Sequence, residues 1–204
     1  MKILITGVAG FIGSKLAENL LNAGYKICGI DNLNNYYDVK LKKNRLSILK
    51  KYKNFRFKKI DINNYKKVEK IFKENKFKIV INLAAQAGVR YSIENPKNYF
   101  ENNIRGFFNI IDLSRHNKIK HFLYASTSSV YGNQNKYPLK ESFSTDGPLS
   151  FYAATKKCNE VIAHSYSNIY GMPSTGFRFF TVYGPYGRPD MALFKFASSI
   201  ENNK

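Results

Sequence analysis

The sequence has no long hydrophobic run. None of its apolar stretches approaches the ~18–20 residues that a helix needs to cross a bilayer, so no membrane partner is expected. The opening residues Met1–Gly7 enter a short apolar run that stops at a glycine turn. They read as a buried strand; a signal peptide would carry a longer apolar region and a cleavage site. Cysteine is scarce. The two present, Cys28 and Cys158, fall in apolar or helical contexts and read as reduced thiols of a cytoplasmic protein. The three histidines, His116, His121 and His164, lack metal-ligand spacing, and no Cys/His cluster accompanies them, so no metal is expected. Internal repeats and low-complexity linkers are also missing.

Acidic residues are few. Fourteen Asp and Glu face 33 Lys and Arg, for a net charge of +19. Such a surplus can mark a nucleic-acid binder. Here the lysines, from Lys40 through Lys51 and Lys59 to Lys78, are dispersed and build no arginine-rich stripe. They read as solvated helix faces, and no nucleic-acid partner is expected. The positive field still attracts anionic ligands.

The 204 residues, 44% hydrophobic and 15% aromatic, suffice for one substantial core. Apolar runs at Lys2–Thr6, Tyr25–Ile30, Phe55–Ile60, Ile79–Leu83, His121–Ser126 and Ser174–Phe180 read as strands. Helical periodicity falls between them at Phe11–Ala23, about Leu41–Lys51, Tyr65–Asn75, Pro96 to about Asn117, and Phe151–Tyr170, with a last helix from about Met191 to the end. Strict alternation of strand and helix predicts an α/β fold, a Rossmann-type doubly wound parallel sheet with right-handed crossovers.

Two stretches carry chemistry. Gly7-Val8-Ala9-Gly10-Phe11-Ile12-Gly13 lies between the first strand and the first helix. Glycines there let backbone approach a diphosphate, and the helix N-terminus adds free N–H groups and a positive dipole end. The loop departs from G-x-G-x-x-G in carrying Ala9 and Gly10. Asp31 ends the second strand about 20 residues on, where a carboxylate accepts ribose hydroxyls and disfavours a 2′-phosphate. That spacing favours NAD over NADP. The second stretch is Tyr152-Ala153-Ala154-Thr155-Lys156. Its Tyr and Lys share one helix face. A neighbouring ammonium favours phenolate, which makes a general base for an alcohol. In a chain this rich in Tyr and Lys the pair alone means little.

Taken together, Gly7-x-x-Gly10-x-x-Gly13, Asp31, Asp61, Asn82–Ala85, Ser126–Gly132 and Tyr152-x-x-x-Lys156 resemble the extended short-chain dehydrogenase/reductase family. Asp31–Tyr37, Leu83–Ser92 and Arg178–Pro185 with Gly187–Asp190 most resemble its nucleotide-sugar 4-epimerases that act on UDP-glucuronate. The resemblance implies NAD held by Gly7, Gly10, Phe11, Ile12, Gly13, Asp31, Asn32, Asp61, Ile62, Leu83, Ala84 and Ala85, with Tyr152 and Lys156. It implies a catalytic triad of Thr127, Tyr152 and Lys156. Dehydratases of this family carry Asp-Glu just after the threonine and uronate decarboxylases usually a Glu at the second place, whereas this chain has Ser128 and Ser129. That argues for epimerisation. Gln86, Arg90, Ser128, Ser129, Thr181 and Arg188 are implied to bind a UDP-uronate, with Arg188, Thr181 and the two serines gripping its carboxylate so that the 4-keto intermediate keeps it.

The resemblance also implies a domain spanning 1–180 and the start of a substrate lobe over 181–204. Family members continue into a C-terminal lobe that completes the UDP pocket. The expectation is a truncated or fragmentary chain in which NAD binding survives better than turnover. A homodimer through the helices at about Pro96–Asn117 and Phe151–Tyr170 is the family-level expectation. A related decarboxylase, a neutral-sugar epimerase and a non-catalytic NAD-binding protein remain as alternatives.

Overall fold

A computed structural model describes residues 1–202. Six strands, β1 (Lys2–Thr6), β2 (Lys26–Asp31), β3 (Phe55–Lys59), β4 (Ile79–Asn82), β5 (His121–Thr127) and β6 (Ser174–Phe179), form one sheet in the order β3-β2-β1-β4-β5-β6. Every pairing is parallel. The order reverses between β1 and β4, and crevices open at the carboxyl ends of the strands at such a switch. Thr6 sits there, opposite Ile30 on one side and Asn82 on the other.

The strands read as continuous apolar runs because both faces are covered. In β1, Ile3 and Ile5 enter one core with Ala17, Leu21, Leu46 and Leu49. Leu4 enters the other with Val68, Phe72, Phe107, Ile110 and Ala163. Helices α1 (Phe11–Asn22) and α2 (Val39–Leu49) therefore cover one face, and α3 (Tyr65–Glu74) the other. Caps start three of the helices. Asp38 accepts from Lys40 N–H at 2.8 Å before α2, and Asn64 accepts from Lys67 N–H at 3.0 Å before α3. Ser150 accepts from Ala153 N–H at 3.1 Å before the helix bearing the Tyr-x-x-x-Lys pair.

The chain between β4 and β5 differs from the single helix expected. Short helices α4 (Val89–Glu94) and α5 (Pro96–Tyr99) precede a π-helical segment, Phe100–Arg105, which runs into α6 (Gly106–His116). The π segment is widened around Asn103, whose side chain is fully occupied inside the protein. It accepts from Gln86 N–H at 2.8 Å, donates to Gln86 O at 2.9 Å and donates to Thr155 Oγ1 at 3.1 Å. Such bulges often lie at functional sites. A 3-10 turn over Ser128–Tyr131 follows β5, and α7 (Phe151–Tyr170) crosses back to β6. The expected last helix is α8 (Ala192–Glu201), and the final two positions of the expected span lie outside the described residues. Among the described residues no helix is long and apolar enough to cross a membrane, and no cluster of His, Cys, Asp or Glu could hold a metal.

Candidate active site

The carboxyl ends of the strands open into a cavity of about 910 Å³. Every residue expected to bind cofactor or substrate lines it except Asp61. Asp61 turns into the backbone, accepting from Asn63 N–H at 2.8 Å and from the Asn32 amide at 2.9 Å. Its neighbours Ile60 and Ile62 face the cavity in its place.

The glycine loop is already shaped. Gly7 has φ +70, and a Cβ there would lie 2.7 Å from Ala84 N. Only glycine lets the first turn pass so close to the end of β4. A Cβ on Gly13 would overlap the Gly7 carbonyl. Gly10 caps α1 without a side-chain hydrogen bond, so the first-turn amides of Phe11, Ile12 and Gly13 keep no side-chain acceptor. These are the donors that suit a phosphate. Asp31 pins the loop and the segment after β2, accepting from Ala9 N–H at 3.1 Å and from Leu33 N–H at 2.8 Å. Burial raises the pKa of its carboxyl, while the two amides and the Lys42 and Arg45 charges oppose that rise. A carboxylate has about four acceptor positions, so two remain for ribose hydroxyls.

Thr127, Tyr152 and Lys156 meet on the cavity wall where β5 ends against α7. The Thr127 hydroxyl caps the 3-10 turn, accepting from Ser129 N–H at 3.2 Å and donating to Ser129 Oγ at 3.2 Å. Burial dominates at Tyr152 and pushes its phenol up from the ordinary value; the Thr127 hydroxyl and the Arg188 charge act the other way. The expectation that Lys156 holds this phenol down meets a different arrangement. The Lys156 ammonium donates to Ala125 O at 3.0 Å, and burial lowers its own pKa to about 8. It ties α7 to β5, and the protein alone leaves Tyr152 a neutral phenol near pH 7.

The substrate side also differs in detail. Arg188 lines the cavity, but its Nε and Nη2 donate to the two oxygens of Asp190, the Nε bond at 3.0 Å. Asp190 also accepts from Tyr36 Oη at 3.3 Å. A carboxylate of this protein thus holds one edge of the fork expected to grip a substrate carboxylate. The opposite Nη1/Nη2 edge is the one that remains for a ligand. Thr181 and Arg90 are exposed at the mouth, and Gln86 is buried with its amide donating to Ala87 O at 3.3 Å. Ser128 and Ser129 begin the 3-10 turn after β5 and line the cavity.

Several positioning groups were not expected. Glu160 lies one turn beyond Lys156 on α7 and accepts from Ser126 Oγ at 2.6 Å and from Arg178 Nε and Nη2 at 2.9 Å. Its spacing from Tyr152 and Lys156 was visible, but nothing in the sequence places Ser126 and Arg178 against it. Arg45 and Lys42 are buried on α2 beside Asp31; a basic residue in a lysine-rich helix carries no mark of burial.

Against known proteins, residues 3–204 match the profile of the NAD dependent epimerase/dehydratase family. The chain is 55% identical over 204 residues to Protein CapI of Staphylococcus aureus, covering all of this chain and 61% of that protein. It is 48% identical over 201 residues to a UDP-glucuronate 4-epimerase of Thermodesulfobacterium geofontis, covering 98% of this chain and 62% of the relative. Among solved structures, a UDP-glucuronic acid 4-epimerase from Bacillus cereus in complex with UDP-glucuronic acid and NAD superposes with a TM-score of 0.93 at 36% identity, over 100% of this chain and 64% of that one. The chain thus spans a little over three fifths of the length of these relatives. With the match running from the first strand through the described last helix, the chain belongs to the NAD dependent epimerase/dehydratase family.

Proposed function

We propose that this chain forms the cofactor-binding and catalytic part of an NAD-dependent UDP-glucuronate 4-epimerase. The observation that carries the reading is one cavity joining the glycine loop and Asp31 to Thr127, Tyr152 and Lys156, with serines at 128 and 129. A relative 48% identical carries the name UDP-glucuronate 4-epimerase. The first-turn amides of α1 take the diphosphate of NAD, Asp31 the adenosine ribose, and Lys156 the nicotinamide ribose. When bound, NAD supplies a reversible hydride acceptor and a positive charge near Tyr152.

Tyr152, once ionised to the phenolate beside that charge with its own proton lost to water, would take the proton from the sugar 4-hydroxyl as hydride leaves C4 for that acceptor, and Thr127 would hold the same oxygen. The 4-keto sugar turns over, and the hydride returns to its other face. A uronate oxidised at C4 is a β-keto acid and is prone to lose carbon dioxide. The open edge of Arg188, with Thr181, Ser128 and Ser129, holds the carboxylate so that its bond to C5 is poorly aligned with the ketone. Asp190 sets the angle of that grip by fixing the other edge of Arg188. The reading includes a cytoplasmic homodimer, and segment 181–204 as the start of the substrate lobe. Phe100, Phe108, Val161 and Ile169 are exposed along the expected dimer helices.

Incubation of the protein with NAD and UDP-glucuronate, followed by proton NMR, tests this. UDP-galacturonate is the expected product, and Tyr152→Phe should abolish its formation while weakening NAD binding far less, since the glycine loop, Asp31 and Lys156 remain. UDP-pentose with carbon dioxide would assign a decarboxylase, and preferential turnover of UDP-glucose a neutral-sugar epimerase. Calorimetry should show NAD binding more tightly than UDP.

A further inference from the structure

Arg45 points from the middle of α2 into the protein and is 2% exposed. A guanidinium has five N–H donors, and this one makes five hydrogen bonds. Nη1 donates to Ala9 O at 3.1 Å and Tyr37 Oη at 2.6 Å. Nη2 donates to Tyr186 O at 2.6 Å and Gly187 O at 3.2 Å, and Nε to Tyr186 O at 3.2 Å. Its partners are three main-chain carbonyls and a phenol, and the Tyr37 ring lies 5.5 Å away. A planar fork placed this way joins segments far apart in sequence: Ala9 in the glycine loop, and Tyr186 and Gly187 in the segment that carries Arg188.

Both ends of this bridge are otherwise constrained. Ala9 is held on its N–H by Asp31 and on its carbonyl by Arg45, so the peptide group on each side of its Cα is fixed by one hydrogen bond. Tyr186 has φ +60, a left-handed conformation that a bulky residue rarely adopts. Its carbonyl takes two of the five Arg45 bonds. The grip thus falls on the strained residue two places before Arg188. A lysine offers three donors on a point charge and cannot span this set of acceptors.

We propose that Arg45 is a positioning residue that couples the glycine loop to the 184–191 segment, so that a dinucleotide bound at the glycine loop orders the segment presenting Arg188 to the sugar site. The identity of the ligand rests on the function proposed above; the tether itself does not. Because both loops share one guanidinium, a ligand that fixes Ala9 fixes the plane to which Tyr186 and Gly187 are attached. By linkage, a ligand that fixes Arg188 favours the occupied glycine loop.

Hydrogen exchange by mass spectrometry, with and without saturating NAD, tests this on the wild-type chain, Arg45→Lys, and Arg45→Lys combined with Tyr186→Gly. In the wild type, NAD should slow exchange over both 7–13 and 184–191. In Arg45→Lys without ligand, exchange over 184–191 should rise by roughly tenfold or more, as expected when charge-assisted hydrogen bonds are lost. NAD should still protect 7–13 in that variant but no longer protect 184–191. Glycine at 186 relieves the left-handed strain and should restore part of the ligand-free protection. Unchanged exchange over 184–191 in Arg45→Lys overturns the proposal. So does a rise spread equally over α2 and the sheet, which would make Arg45 a general core strut. Protection of 7–13 without 184–191 in the wild type defeats the coupling alone. No protection of 7–13 defeats the cofactor reading and the coupling together, and the ligand-free comparison then still decides the tether.

Discussion

The Lys156 ammonium rests on the carbonyl oxygen of Ala125 at 3.0 Å, two residues before Thr127. The contact fixes α7 against β5 and so sets the spacing between Tyr152 and Thr127. It also buries a charge, and burial lowers the Lys156 pKa to about 8 from 10.5. The charged form is therefore weaker in the folded state than in the unfolded one. Between these two values the unfolded chain binds more protons, so stability attributable to this group rises with pH across that window. Wild type should gain on Lys156→Met between about pH 8 and 10.5, by at most about 3.5 kcal/mol at ~1.4 kcal/mol per unit. Urea denaturation of both proteins across that range measures the difference.

Glu160 behaves in the opposite sense. Burial raises the pKa of its carboxyl, but hydrogen bonds from Arg178 and Ser126 and the Arg178 charge outweigh it and hold the group below its usual range. Its contribution is present above the unfolded carboxyl pKa and lost as pH falls through the folded one. Glu160→Gln should cost about 1–3 kcal/mol at pH 7, since it leaves Arg178 half-buried without its counter-charge. The gap to wild type should close as pH falls below 4.5, which paired acid titrations followed by circular dichroism would show.

The glycine loop makes a steric prediction. Gly13→Ala places a methyl group onto the Gly7 carbonyl. It should destabilise the fold by about 1–3 kcal/mol and weaken NAD binding by about tenfold or more, because α1 must move away from the loop. Gly147→Ala meets nothing within 4 Å and should stay within about 0.5 kcal/mol of wild type. Thermal melts and NAD titrations of the two variants separate the loop's requirement from a general intolerance of added methyl groups.

Asp31 has a structural duty besides any ligand. Asp31→Asn puts an amide NH2 where one of two backbone N–H groups now finds an acceptor. It also removes the negative charge beside Lys42 and Arg45. A loss of about 1–3 kcal/mol is expected from the orphaned donor alone, even without cofactor, together with weaker NAD binding. A variant that loses NAD affinity with unchanged stability would contradict the two-sided hold on Ala9.

The sheet and the cofactor side were legible because their signals are local. A strand, a glycine turn and a helix are contiguous from Lys2 to Asn22, and Asp31 ends the next strand. Tyr152 and Lys156 are one turn apart on one helix. What escaped depends on distant partners. Arg45 and Lys42 look like their exposed neighbours on α2 until Ala9, Asn34 and Tyr186 close over them. Asn103 needs the π segment to reach Gln86 and Thr155, and nothing in Phe100–Arg105 announces that widening. Asp190 was read only as part of a motif around Arg188; that it holds Arg188 becomes visible when the loop folds back toward Tyr36.

The oxidoreductive role proposed for this site at C4 is tested most directly with UDP-glucuronate carrying deuterium on C4. With NAD present, the product should be UDP-galacturonate with deuterium retained on the inverted C4 and no carbon dioxide released. Loss of the label to water, or UDP-pentose with carbon dioxide, would contradict the account.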